Sequence, residues 1–555
     1  NLGLDARTVQ DYEFWSAKTS NRGMGTSYAK NAVDKYTMFT LENMLFYDKT
    51  FNDKHTLGVT LLQSIQEDKR ESVNVAMENL PADNLKYYDL GSGLVTNTIG
   101  SSMIKWNMAS FMGRINYNYL GRYLLTVSAR YDGSSRLADG HKWVLFPSAA
   151  LAWRINEESF MSSTSGWLDN LKLRLGFGKT GNSAVDPYQT KGTLSLIRYP
   201  FDNGGTPTIG YAPNAMANSL LTWETTDQWN LGIDFGVLRG RINGTIDLYM
   251  QNTHDLLLKR QLPVVSGFPD VLSNVGKTRN KGIEVSINSM NINSKDFQWT
   301  TDLMLSSNKE EIVELYNGKN DDIGSKWFIG QPVNVHYDYR KVGIWQNTES
   351  DLAEMAKFAA NGTEFAPGDI KIQDVNGDYK ITDADKQILG NPRPKLIASM
   401  VNTFNYKGFD LSVFLYASFG AMLYNDIYAV EHCGRNGGVK VDYWTPNNPT
   451  NAYPRPSIDE ERPIYITSTY YEKADFLRVK TMTLGYTLPK TLTNKFLVEK
   501  LRVYFTAQNP FIFTNYTGID PEAAKVNSAG NPETNGSGFG TPSVSSWIFG
   551  INLTL

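Results

Sequence analysis

The residues whose types and spacing best suit chemistry lie in one stretch, Asp374-Val375-Asn376-Gly377-Asp378-Tyr379-Lys380-Ile381-Thr382-Asp383-Ala384-Asp385. Oxygen-bearing side chains at Asp374, Asn376, Asp378, Thr382 and Asp385, with the backbone carbonyl of Lys380, have the spacing with which a loop surrounds a hard cation such as calcium. Two positions depart from that pattern. Tyr379 stands where the sharp turn wants glycine, and the last ligand is Asp385 rather than the longer Glu. The same residues also suit an Asx turn that orders its own backbone without an ion. Upstream, Thr348 is placed to cap a helix over Glu349 to Phe358, with Asp351 in its first turn.

Other candidates for chemistry fail on context. Gly178-Lys179-Thr180 ends like a phosphate loop, but Leu173 stands where the first glycine belongs and a strand pattern leads into it. Asn535 to Gly540 lacks the strand-to-helix setting of a nucleophile elbow. His432 and Cys433 are adjacent, so they do not face each other as nucleophile and base. His55, His141, His254 and His336 are scattered. No catalytic constellation emerges, and the chain reads as something other than an enzyme. With Cys433 as the only cysteine, an intramolecular disulfide and a multi-cysteine metal site are both excluded. Many aromatics fall between the candidate strands or, for Trp106, at a loop edge: Trp106, Tyr188, Tyr199, Tyr211, Trp327, Tyr424, Tyr428, Tyr443, Trp444, Tyr453 and Tyr470. They suit stacking on sugars or gripping peptides, or, more plainly, interfacial girdles and loop packing.

The elements that must position these residues are strands. Sixteen are expected, at 5–17, 36–47, 55–66, 104–119, 122–131, 144–155, 170–178, 224–235, 241–252, 281–289, 297–307, 396–405, 409–418, 475–487, 501–509 and 546–555. The clearest alternate with period two. In one, Tyr123, Leu125, Val127, Ala129 and Tyr131 oppose Arg122, Thr126, Ser128 and Arg130; in the last, Trp547, Phe549, Ile551 and Leu553 oppose Ser546, Gly550, Asn552 and Thr554. Connections between them alternate short and long without exception, as periplasmic turns and extracellular loops do in a membrane barrel.

Composition agrees. No run approaches the ~20 apolar residues of a membrane helix. Aromatics make up 12% of 555 residues, with 30 Tyr, enough to furnish girdles at two membrane interfaces. A net charge of −3 gives no footprint for nucleic acid. The fold class is therefore all-β: a transmembrane antiparallel barrel of the outer membrane with about 16 strands and long extracellular loops, read as one domain over 1–555. The chain opens at Asn1 with neither a Met nor a signal-like apolar run, so a removed leader or further upstream sequence is expected.

The chain resembles the SusC/RagA family of TonB-linked outer-membrane transporters of Gram-negative bacteria, specifically the C-terminal part of the barrel. The stretches that carry the resemblance run in family order: Tyr131 to Arg136, Phe146 to Ser148, Trp153 to Phe160, Leu171 to Asn182 and Asn274 to Glu284. They continue with Ile329 to Val333, Gly343 to Gln346, Gly368 to Asp378, Trp444 to Arg455, Asp475 to Tyr486 and Gln508 to Glu522. The resemblance implies active import of oligomeric nutrients, glycans or oligosaccharides ahead of peptides, with a SusD-like surface lipoprotein as lid. It also implies that the strands are part of a larger, 22-stranded wall, with energy from TonB through an N-terminal plug outside these residues, and contact with outer-membrane lipid and lipopolysaccharide. A RagA-like peptide importer, a passive porin-like channel and a barrel-displayed adhesin are the alternatives. Tyr379 departs from the glycine usual in the family's DxNGDG-like segment.

Overall fold

A computed structural model describes all residues except 21–24, 200–207, 426–439, 457–461, 494, 496–497, 523–542 and 555. The strands of its main sheet are β1 (Leu2–Trp15), β2 (Tyr28–Phe51), β3 (His55–Glu78), β4 (Val95–Tyr119), β5 (Tyr123–Ser134), β6 (Trp143–Arg154), β7 (Leu168–Asn182) and β8 (Glu224–Val237). They continue with β9 (Ile242–His254), β10 (Lys277–Asn293), β11 (Phe297–Glu314), β12 (Leu396–Tyr406), β13 (Phe409–Phe419), β14 (Phe476–Thr487), β15 (Lys500–Thr514) and β16 (Ser546–Thr554). Neighbours in the sheet follow chain order throughout. Each corresponds to one of the sixteen expected strands. Among the described residues no helix is long and apolar enough to cross a membrane.

By internal contacts the chain falls into two compact units. The first holds Asn1–Arg154, Arg174–Trp229 and Gln251–Lys277. Its strand β5 is inside out: Tyr123, Leu125, Val127, Ala129 and Tyr131 are exposed, whereas Leu124, Thr126, Ser128 and Arg130 between them are partly covered. In water that face would be an unpaid apolar patch; facing lipid, it is the expected surface. The opposite face carries a polar ladder. Thr126 donates to Asn116 at 2.9 Å, Ser128 meets Ser148 at 2.6 Å, and Arg130 reaches Asp132 at 2.7 Å and Ser110 at 2.9 Å.

Two aromatic belts bracket the apolar face. At one end Tyr119, Tyr123 and Trp153 stack with centroids 6.3 and 6.4 Å apart. At the other, Trp143 stacks on Tyr131 at 4.9 Å and on Phe111 at 6.3 Å. Glycine is required beneath Trp143: a Cβ on Gly133 would meet its ring at 2.4 Å. From Tyr123 to Tyr131 the strand advances about 26 Å, which tilt reduces to the height of a thin hydrocarbon core. Strands β2, β3 and β4 run well past the second belt. The sequence pattern places their outer halves in loops, at 18–35 and 67–103, and the structure corrects this. Beyond the belt the outward face carries Lys35, Glu67, Lys69, Glu71 and Lys105, so the alternation that marks lipid-facing strands stops while the strands continue.

The second unit holds Ile155–Leu173, Asn230–Met250 and Thr278–Leu555. Its last two strands repeat the inverted pattern. Trp547, Phe549, Ile551 and Leu553 are all exposed on one face of β16, with Phe505 of β15 lying 5.6 Å from Trp547 and 4.8 Å from Phe549. On the polar face Arg502 of β15 crosses β14 above Gly485 to pair with Asp410 of β13, Nε to Oδ1 at 2.8 Å. A Cβ on Gly485 would sit 2.4 Å from that guanidinium.

Tight reversals join strands at the end opposite the long loops. They use left-handed backbone at Asn52 and Asp53, Leu120 and Gly121, Leu238 to Gly240, and Lys407 and Gly408, the conformation that two-residue hairpin turns demand.

Candidate functional site

The long connections are folded, which the sequence pattern does not reveal. In the second unit, 315–395 and the described parts of 420–475 build a layer from helix α1 (Glu349–Ala360) and three short ribbons. The ribbons pair His336–Asp338 with Gln387–Gly390, Lys341–Ile344 with Ile370–Ile372, and Met422–Tyr424 with Tyr471–Lys473. Ile344, Ile370, Ile372, Trp444, Ile466 and Tyr470 form its buried core. A second core joins Trp345, Met355 and Phe358, with Phe365 and Tyr379 packed against it. Helix α1 begins where its sequence signals place it, the Asp351 N–H donating to Thr348 Oγ1 at 3.3 Å, and runs two residues beyond the expected Phe358.

The candidate cation ligands come together in one turn of this layer. Asp374 accepts the N–H groups of Gly377 at 2.7 Å and Tyr379 at 2.8 Å. Asn376 accepts the N–H of Asp378 at 3.0 Å, and Asp378 that of Lys380 at 2.8 Å. Asp385, fully buried, accepts the N–H of Val375 at 3.0 Å and of Thr382 at 2.8 Å. Thr382 in turn caps Ala384. These bonds take up N–H groups of the turn, as an Asx turn does. Among the described residues, no group of three or more His, Cys, Asp or Glu side chains is placed to hold a metal. Tyr379 adopts a φ of 57°, the left-handed geometry for which glycine is usual, and its ring packs 5.5 Å from Phe358. Burial of the ring offsets the backbone strain, and that explains a tyrosine at the turn position.

Other residues singled out in the sequence have structural employment. Lys179 lies 3.9 Å from Asp227 in a strand, not in a phosphate loop. His336 is buried, which pushes its pKa down, and its Nε2 meets the Met422 carbonyl at 2.8 Å, tying two ribbons together. The Trp444 indole donates to Gln346 at 2.9 Å inside the layer. Burial first, then Asp383 beside it, pushes the Tyr339 phenol up to about 12. Tyr428, His432, Cys433 and the 535–540 stretch lie outside the described residues.

Clefts open among the described loops of both units. In the second unit a cleft of about 690 Å³ is walled by Phe365, Ile370, Pro454 and Tyr465, with the Asp369–Arg455 pair at its side. In the first unit the loops pack on a core of Leu137, Phe146, Val185, Leu221 and Trp223. Beside it a cleft of about 490 Å³ is lined by Trp106, Tyr188, Lys105, Lys142 and Lys191. Trp106 and Tyr188 are among the aromatics noted in the sequence; the lysines that join them there are not. Chemically, both units offer loop clefts with aromatic walls, carried by a sheet with one apolar and one polar face.

Comparison with known proteins agrees with this architecture. The family model described as "TonB dependent receptor-like, beta-barrel" matches residues 1–509. TonB-dependent receptor P3 of Formosa agariphila is 32% identical over 531 residues, covering 92% of this chain and 52% of the relative. TonB-dependent receptor SusC of Bacteroides thetaiotaomicron is 35% identical over 434 residues, covering 75% of this chain and 41% of the relative. The chain thus spans about half the length of the curated relatives it matches. Among solved structures, the RagAB peptide transporter superposes with a TM-score of 0.81 at 22% identity, over 100% of this chain and 59% of that one. That likeness shows the fold, an antiparallel β-barrel.

Proposed function

Because this chain belongs to the TonB-dependent receptor-like β-barrel family of the bacterial outer membrane, we propose that it forms the wall and outer loops of an active importer of oligomeric nutrients, with oligosaccharides as the favoured cargo. The observation that carries this reading is the inverted sheet. Exposed apolar side chains between two aromatic belts on one face, and a hydrogen-bonded polar ladder on the other, make a lipid-facing wall around an aqueous path. A wide aqueous path leaks unless it is plugged, and directed uptake across a membrane without its own energy source needs coupling to another. A plug contributed by sequence outside these residues and contacted by TonB meets both needs. A SusD-like lipoprotein seated on the folded loops serves as lid. The work of such a chain is transport, not catalysis.

Peptide import, the activity named for RagAB, is the second reading. It is favoured by the outer part of β4, where β5 pairs only from Met108 onward and leaves Val95 to Ile104 with a strand edge that an extended peptide can join.

The test is uptake by a deletion strain complemented with the gene. Oligosaccharide uptake that returns with the gene and stops when TonB is removed is expected. Uptake indifferent to TonB would overturn active import in favour of a passive channel. Restoration of peptide uptake alone would overturn the preference for saccharides.

A further inference from the structure

We propose that the cleft in the first unit, between Trp106, Tyr188 and Lys191, is a subsite for an acidic saccharide, one whose ring carries a carboxylate or sulfate. This inference deepens the saccharide reading above and rests on it.

The cleft's volume of about 490 Å³ lies within the range of small-molecule sites. Its lining includes Lys142, Lys191 and one carboxylate, Asp139, whereas Lys105 borders it through its backbone, its ammonium lying beside Glu67 on the face of β4 opposite Trp106. Lys142 is already engaged, 2.5 Å from Asp139. Among the described residues no direct ion pair holds Lys191; it shares the field of Asp139 with Lys142, which leaves one positive charge in excess to meet an anionic group. One further cation lies next to the lining, with Asp68 and Asp186 near it. The Arg136 guanidinium stacks on Trp106 at 3.9 Å, and its buried Nε has no hydrogen-bond partner. Trp106 and Tyr188 offer apolar ring faces to a pyranose, and the hydroxyl and amide groups of Thr190 and Asn107 suit its hydroxyls.

Position and edge chemistry select a soluble sugar over two rivals. Lys105 precedes Phe111 of the outer aromatic belt by six residues, about 20 Å along the strand, which sets the cleft beyond the lipid boundary. An extended peptide would need the edge of β4 here, and that edge is closed. The Tyr188 hydroxyl takes the Lys105 N–H at 3.2 Å and donates to the Lys105 carbonyl at 3.3 Å. Ser135 Oγ takes the next edge donor, the Asn107 N–H, at 2.8 Å.

The test is calorimetric titration of the native receptor, purified in detergent, with trigalacturonate, maltotriose, triglutamate and lipopolysaccharide, on the wild type and on Lys191→Gln. Lys191 contributes to no packing core described above, so the variant should retain heat-modifiable migration. Trigalacturonate is expected to bind about tenfold more tightly than maltotriose, the gain of roughly one charge-assisted hydrogen bond. Lys191→Gln should abolish that preference and flatten its salt dependence. Equal affinity for the two sugars, or an acid preference that survives Lys191→Gln, would overturn the proposal. So would triglutamate or lipopolysaccharide binding through Lys191 in place of the uronate. Uptake separates the two readings: saccharide import with no acid preference in binding sinks only the subsite, whereas Lys191-dependent binding without uptake sinks only the importer.

Discussion

Arg478 of β14 and Asp520 form an ion pair with both side chains only 5% exposed, Nη2 to Oδ1 at 2.5 Å. Glu522 closes the group: its carboxylate lies 3.1 Å from Arg478 Nε and also meets Lys480. The pair ties the chain segment after β15 to the outer end of β14. Removing one partner strands the other charge in a desolvated place, so Asp520→Ala should loosen this segment by about 3–5 kcal/mol. Replacing both, as Arg478→Met with Asp520→Leu, should recover most of that loss. Hydrogen exchange over 510–522 reads both outcomes, and a single variant no less protected than the wild type would refute the anchor.

The same pair sets a pH dependence. Burial alone would raise the Asp520 carboxyl. The N–H groups of Glu522 and Ser543 and the charge of Arg478 outweigh burial and hold it below the usual value. A carboxyl whose folded pKa is depressed adds stability that is present above its unfolded value, about 3.9, and is lost as pH falls through the folded value. Protection of 510–522 should therefore be flat from neutral pH to about pH 4 and fall below it. In Asp520→Asn that acid step should vanish.

Substitutions on the two faces of β5 should differ sharply. Val127 is exposed on the apolar face midway between the belts, so Val127→Lys places a charge in hydrocarbon and should cost about 2–4 kcal/mol. Thr126→Lys turns to the polar face and gives up one hydrogen bond to Asn116, about 1 kcal/mol. Urea titration of barrel refolding, followed by heat-modifiable migration, separates them. Equal costs would mean that the two faces have been assigned the wrong environments.

How much of this was legible in the sequence follows from what each face meets. All sixteen strands could be read because lipid on one side and water on the other impose period two. The outer halves of β2, β3 and β4 escaped because Lys69 and Lys105, directly opposite each other, face water there, as Leu61 nearer the turn does not. Loop cores such as Trp345 with Phe358 leave no period to read. Arg478 and Asp520 sit in stretches that carry the family resemblance, but a pairing across 42 residues has no local signature. The Asp374 to Asp385 turn was legible as a turn; that its oxygens take up its own N–H groups depends on how the backbone folds back on them, which spacing alone does not state.

For that turn, calcium at Asp374, Asn376, Asp378, Lys380, Thr382 and Asp385 stands as a proposal with a direct check. Asp374→Ala removes the acceptor for two N–H groups and should speed exchange across 374–385 by the equivalent of about 1–3 kcal/mol, leaving barrel migration unchanged. A cation held by these oxygens would add saturable, calcium-dependent protection of the same residues that Asp378→Asn weakens. Protection indifferent to calcium and chelator would assign the turn to its hydrogen bonds alone.

Trp345 gives the loop layer its sharpest test, because its ring and its N–H pull in opposite directions. The ring is fully buried, edge-on to Phe358 at 5.8 Å. The ammonium of Lys371 sits 4.0 Å from its centroid and is held there by Asp351 at 3.1 Å and Glu354 at 2.5 Å. Its Nε1, however, is buried with no hydrogen-bond partner, which costs about 1–3 kcal/mol. Trp345→Ala should destabilise the layer by about 3–5 kcal/mol through the cavity it leaves. Trp345→Phe keeps most of the ring, keeps a face for Lys371 and removes the orphaned donor, so it should lie within about 1 kcal/mol of wild type. Limited proteolysis of the 315–395 connection ranks the three proteins. A phenylalanine variant as labile as the alanine variant would show that the indole N–H is satisfied in solution.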